Sequence, residues 1–187
     1  MFKALIYTLL CILPALSHAV PIVYNGDLTN GATQFGTTPD DNAPSANPAT
    51  WSFWFFSASA SDAIVIEAIR ISSALDTVGG VWEGLATDTT QFSSMSSNGT
   101  GGLNFMDFGD DEIANAGPFG DPRMQFIAPS TGFYTIAIGD HTFASNDAST
   151  FRYQIDVAGA TVPEPATLAL LGLGLAGLGF STRKKTH

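Results

Sequence analysis

The chain has 187 residues and a formal net charge of -10, with 45% hydrophobic but only 13% charged residues. A surface this acidic repels phosphate backbones, which excludes nucleic acid as a partner. The single cysteine, Cys11, excludes a disulfide framework, and the length suits one domain with its own core.

The first residues, MFKALIYTLLCILPALSHAVP, carry one early cation, Lys3, and then an apolar stretch from Ala4 to Leu16. The stretch is short for a membrane span, and Ser17 and Ala19 supply the small residues that precede a cut before Val20. Residues 1–19 are therefore expected to be a cleaved secretory signal, which removes Cys11 and leaves a mature chain without thiol chemistry.

The body runs from residue 20 to 161. Its first part, 25–49, is dense in Gly, Asn, Asp, Thr and Pro and is expected to be loop or irregular edge. Runs rich in aromatic and β-branched residues follow at Trp51–Ser57, Ala63–Ile71, Val78–Gly84, Arg123–Ile127, Phe133–Ile138 and Phe151–Val157, each bounded by turn formers. In the last of these, Phe151, Tyr153, Ile155 and Val157 alternate with Arg152, Gln154 and Asp156, so one face is dry and one wet. Many short strands of this kind predict an all-β fold, an antiparallel β-sandwich of jelly-roll type. Trp51, Trp54 and Trp82 are then expected to fill the sandwich rather than form a sugar-stacking platform.

Between the fourth and third last of these features lies the chemically richest stretch, Asn104–Asp121. It contains Asp107, Asp110, Asp111, Glu112 and Asp121 in a Gly-containing segment. Five carboxylates are hard oxygen donors that suit Ca²⁺, although their spacing is not that of an EF-hand loop. The two readings are a structural Ca²⁺ clip and a solvated acidic loop; Asp140 and Asp147, around the next turn, are further candidate donors. Catalysis has little to stand on: His141 is the body's only histidine, and no serine sits in a nucleophile-elbow pattern. The chain is expected not to be an enzyme; a secreted hydrolase using His141 is the alternative.

The C-terminal end reads VPEPATLALLGLGLAGLGFSTRKKTH. Ala166–Phe180 carries no charge and has no polar stripe to give to water, so it belongs in a deep core or in lipid. Residues 166–182 would extend roughly 25 Å as a helix, a marginal span of a hydrocarbon layer about 30 Å thick. Arg183, Lys184 and Lys185 directly behind the run act as a stop-transfer cluster on the cytoplasmic side. A single C-terminal transmembrane helix with the body outside is the expectation, either as a permanent anchor or as a tail that is removed.

Val162-Pro163-Glu164-Pro165, the Gly- and Leu-rich run and the basic end together resemble the PEP-CTERM sorting signal of Gram-negative bacteria. The resemblance implies recognition of residues 162–165 by exosortase, a membrane-embedded cysteine protease or transpeptidase, in bacteria that make an extracellular polysaccharide. The two prolines fit this role physically, because neither continues a helix and both hold the chain extended. Separately, the order of DAIVIEAIRISSALDTVGGVWEG, an acidic loop, DPRMQFIAPSTGFYTIAIGDH and FRYQIDV resembles the bacterial pre-peptidase C-terminal domain over about residues 50–157. That resemblance implies a jelly-roll-like sandwich serving as an accessory module on secreted proteins. The expected function is an exported surface or extracellular-matrix protein processed by exosortase, passing through the inner membrane; a calcium-dependent or glycan-binding module is the alternative.

Overall fold

The computed structural model describes residues 19–29, 31–39, 47–116, 119–141, 150–161 and 175. Nine strands make up its secondary structure together with short 3-10 turns: β1 Tyr24–Asp27, β2 Gln34–Pro39, β3 Ser52–Ala58, β4 Ala63–Arg70, β5 Thr77–Glu83, β6 Asn104–Gly109, β7 Arg123–Ile127, β8 Gly132–Asp140 and β9 Thr150–Ala158. They form two sheets in the orders β1-β3-β8-β5-β6 and β2-β9-β4-β7. Apart from β1, the orders are those of an eight-stranded jelly roll. Every pairing is antiparallel except β1 on β3, which is parallel. The expected antiparallel jelly-roll sandwich is thus the observed fold, with one parallel edge strand added.

The main core lies between the sheets. Trp54 and Phe56 of β3, Tyr134, Ile136 and Ile138 of β8, Ile64 and Ile66 of β4, and Tyr153, Ile155 and Val157 of β9 all point inward. Burying each such side chain contributes about 1.5–3 kcal/mol relative to leaving it in water. Their polar tips are satisfied internally: Trp54 Nε1 donates to the Tyr153 hydroxyl at 2.8 Å, which donates to Ser52 Oγ at 2.5 Å. Burial pushes the Tyr153 hydroxyl up to about 12. Gly36 of β2 lies where the Tyr153 ring presses closest, and a Cβ there would stand 2.4 Å from its hydroxyl.

A second cluster covers the outside of the first sheet. Phe92, Met95 and Leu103, on the long β5–β6 connection, pack with Ala86 over Trp51, Phe53 and Trp82. The Trp51 and Trp82 rings are stacked with centroids 6.3 Å apart, and Phe92 meets Trp82 edge-on at 4.7 Å. This lid is why β5 and β8 are buried on both faces while β9 keeps one wet face. All three tryptophans are interior, as expected from the sequence.

Three strands lie in segments expected to be loop or, for 25–49, loop or irregular edge. Segment 25–49 contributes β1 and β2, and the acidic stretch Asn104–Asp121 opens with β6. β1, β2 and β6 are all edge strands, bonded to a neighbour on one side only, where Gly, Asn and Pro are tolerated.

The two ends of the described body are tied into the sandwich. Val20 is tied in by Thr89 N–H donating to its carbonyl at 2.9 Å, and Pro21 bridges Asp88. At the other end Thr161 donates through N–H and hydroxyl to the Asp62 carboxylate at 2.8 and 2.9 Å. The signal segment 1–18 lies outside the described residues, as do Val162, Pro163, Glu164 and Pro165, Arg183, Lys184 and Lys185, and the expected membrane helix 166–182 save Leu175. Among the described residues no helix is long and apolar enough to cross a membrane.

Candidate functional site

β8, β5 and β6 are neighbours in one sheet, so the end of β8, the start of β5 and the end of β6 meet at one pole of the sandwich. The residues at those three ends are Asp140, Asp76, and Asp110 with Asp111. One carboxylate oxygen each from Asp76, Asp110 and Asp111 lies within 4.8 Å of the others. Backbone bonds fix their bases: Asp76 N–H donates to Asp140 Oδ1 at 3.1 Å, and His141 N–H donates to the Asp76 carbonyl at 2.7 Å. His141 Nδ1 is 3.6 Å from Asp110 Oδ2, an ion pair when the imidazole is protonated.

Like charges this close raise the energy of the ionised state. Asp76 is pushed up to about 6, first by burial and then by the charges of Asp110 and Asp111, with His141 opposing them. Asp110 is also raised, chiefly by burial, against the pull of His141. Such a site has two ways of lowering its energy: it takes up a proton, or it takes up a cation. Three carboxylate oxygens are at most half of the six to eight that Ca²⁺ requires, the rest falling to water.

The five carboxylates singled out in the sequence do not act together. Asp110 and Asp111 join Asp76, while the other three face elsewhere. Asp107 accepts from Gln125 N–H at 2.6 Å, and Glu112 accepts from Arg123 N–H at 3.1 Å and from Asp110 N–H at 2.8 Å. Gln125 and Arg123 belong to β7, the edge of its sheet, so both carboxylates cap amides that an open edge would offer to another strand. Asp121 is fully buried. Its Oδ1 accepts from Arg70 N–H at 3.1 Å and lies 3.9 Å from the Arg70 guanidinium, and its Oδ2 accepts from Asn115 at 2.5 Å.

Arg70 explains the shape of the loop. Its guanidinium donates to the carbonyls of Ala116, Phe119 and Gly120 at 2.9, 2.7 and 2.8 Å. The segment that the sequence suggested would wrap an ion wraps an internal arginine. Asp76 was not among the sequence candidates because its partners come from strands 34 and 64 residues further on; its position just before an apolar strand was the one local signal. Asp147 lies outside the described residues.

Two shallow depressions lie elsewhere. One, about 310 Å³, is lined by Val20, Asn47, Pro48, Thr89, Thr90 and Phe92; the other, about 290 Å³, lies over Val65, Gln125 and Ile127. Neither gathers the acidic residues. With the tryptophans buried, the exposed aromatic rings among the large apolar side chains of the described residues are Phe35 and Phe133.

Residues 161–184 match the PEP-CTERM protein-sorting motif. No curated protein matches the chain. Among solved structures it is similar to CorA, a surface-associated copper-binding protein of Methylomicrobium album BG8, with 12% identity, a TM-score of 0.53, and coverage of 76% of this chain and 99% of that one. It is also similar to the pre-peptidase C-terminal domain of a Bacillus anthracis collagenase, with 15% identity, a TM-score of 0.42, and coverage of 74% and 97%. A third is the secreted copper-binding protein MopE of Methylococcus capsulatus, with 10% identity, a TM-score of 0.46, and coverage of 71% and 86%. The likeness to CorA establishes a shared fold. The chain therefore joins a jelly-roll domain to a sorting motif that begins at the domain's last described residue.

Proposed function

We propose that the chain is an exported, non-enzymatic surface or extracellular-matrix protein of a Gram-negative bacterium, handed to exosortase at Val162, Pro163, Glu164 and Pro165. The match of residues 161–184 to the PEP-CTERM sorting motif carries this reading. The fold supports it, since Val20 and Thr161, which flank the two expected processing sites, are both tied into the sandwich. In this account the apolar tail enters the inner membrane, the basic end halts it, and the two prolines present an extended strand to the enzyme. The acidic body, kept soluble by its charge, is then delivered to the cell surface or to the polysaccharide outside it. Replacing Pro163 and Glu164 by Ala in cells that contain exosortase tests this: the substituted chain accumulates in the membrane fraction with its tail intact. Normal release of the substituted chain contradicts the proposal.

A calcium-dependent binding module is the second reading, favoured by the convergence of Asp76, Asp110 and Asp111. Carboxylate oxygens suit hard cations such as Ca²⁺, and the likeness to CorA, at 12% identity, carries the fold and not the copper that CorA binds. A thermal melt in Ca²⁺ against chelator decides it, because a ligand specific to the folded state raises the midpoint.

A further inference from the structure

The sandwich has two unlike poles. The pole where β4, β6 and β8 end carries Asp76, Asp110, Asp111, Glu112, Asp121 and Asp140 against Arg70 and His141. The opposite pole, where β3, β7 and β9 run out, is built from the β3–β4 turn, the β7–β8 turn and the departing chain. β8 spans the two in 9 residues, so they stand about 25–30 Å apart at roughly 3.3 Å per residue.

At this second pole the exposed turn residues Ala60, Ser61, Pro129 and Thr131 are uncharged, and Ile127 and Phe133 flank the β7–β8 turn at 62% and 49% exposure. Its carboxylates are turned onto neighbours: Asp27 accepts from Thr29 N–H at 2.8 Å, Glu83 accepts from Asn104 at 2.9 Å and from the Ser130 hydroxyl, and Asp62 accepts from Ser59 N–H at 2.8 Å and from Thr161. The Asp62 clasp holds the outgoing backbone to the β3–β4 turn as far as Thr161. Ala60 N–H in turn donates to the Thr131 hydroxyl at 2.9 Å, which joins the two turns into one tip.

Four residues, Val162 to Pro165, separate Thr161 from the first residue of the apolar run, Ala166. Fully extended, the five steps from Thr161 to Ala166 reach about 17 Å. The clasped end of the sandwich cannot stand further than that from whatever holds Ala166.

We propose that the pole formed by the β3–β4 and β7–β8 turns is a membrane-facing surface, on which Ile127 and Phe133 rest against lipid headgroups while the tail is inserted and the Asp62–Thr161 clasp keeps the acidic pole pointing away. The inference rests on the tail-insertion reading above. It fits the difference in charge between the two ends: a bilayer with anionic lipid repels the pole with six carboxylates more strongly than the one with three, each of them bonded to neighbouring groups. It also sets the geometry of sorting, because the motif is presented at the membrane with the domain standing on end above it.

The chain from Val20 to His187 contains no cysteine, so single thiols can be placed at will. Ala60→Cys marks the proposed membrane pole and Ser73→Cys, in the β4–β5 connection, the acidic pole. Each labelled chain is reconstituted through its tail into vesicles of phosphatidylethanolamine and phosphatidylglycerol containing a headgroup-level nitroxide quencher. The label at position 60 is expected to be quenched several-fold more strongly than that at 73. Thr161→Pro, which removes both the N–H and the hydroxyl of the clasp without touching the turn, is expected to bring the two values closer together. Equal quenching at 60 and 73 in chains that remain vesicle-bound overturns the orientation, and an unchanged ratio in Thr161→Pro overturns the role of the clasp. Chains that fail to stay with the vesicles contradict tail insertion itself, and the inference falls with it.

Discussion

Asp76→Asn is expected to stabilise the domain at neutral pH. The wild-type carboxyl titrates near 6 when folded, against an ordinary value of 3.8, because it is partly buried beside Asp110 and Asp111. Between those two pH values the folded state holds more protons than the unfolded one, so stability falls as pH rises through the window and the penalty is complete above it. The full rise corresponds to about 3 kcal/mol; Asp76 is partly exposed, and solvent screening reduces the figure to about 1–2 kcal/mol. Asparagine keeps the shape and removes the charge. Urea unfolding of residues 20–161 in chelator, at pH 7.5 and pH 3.5, measures the difference. The variant should exceed wild type by about 1–2 kcal/mol at pH 7.5, with the advantage gone at pH 3.5. A variant that is less stable at pH 7.5, or an advantage that persists unchanged at pH 3.5, would refute the claim that the crowded carboxylates of Asp76, Asp110 and Asp111 destabilise this pole.

The other predictions follow from the same contacts. Arg70→Ala strips three loop carbonyls of their donor and leaves Asp121 buried without its cation, and should cost about 3–5 kcal/mol by denaturant unfolding; a loss of under about 1 kcal/mol would mean that the loop is not organised around Arg70. Tyr153→Phe leaves the Trp54 indole N–H without its acceptor inside the core, a loss of about 1–3 kcal/mol in the same assay. N-terminal sequencing of the exported protein should begin at Val20, whose carbonyl accepts from Thr89 N–H; a start beyond Ile22 would remove the bond of Ile22 N–H to the Thr87 carbonyl and contradict the expected cut.

The strands with a dense apolar side were legible in the sequence, and the pole chemistry was not. β9 announces itself because Phe151, Tyr153, Ile155 and Val157 alternate strictly with polar residues, and burial follows that alternation. β2, QFGTTP, carries almost no side-chain signal: its glycine is dictated by the Tyr153 ring across the sheet, a contact more than a hundred residues away. β6 was hidden by the carboxylates that follow it. The lid over Trp82 was invisible because Phe92, Met95 and Leu103 are scattered singly among Ser, Asn, Gly and Thr in the β5–β6 connection. In the acidic stretch the residue types pointed to a cation, but composition cannot tell an oxygen aimed at solvent from one aimed at an amide. Only the jelly-roll crossovers decide that Asp121 meets Arg70, that Asp107 meets the β7 edge, and that Asp76 joins Asp110 and Asp111.

The account turns on whether the tail is an address. Intact-mass analysis of the protein recovered from the outside of the producing cell reads this directly. A chain that starts at Val20 and stops within Val162 to Pro165 is the predicted result; a chain at the cell surface that still ends at His187 would contradict it.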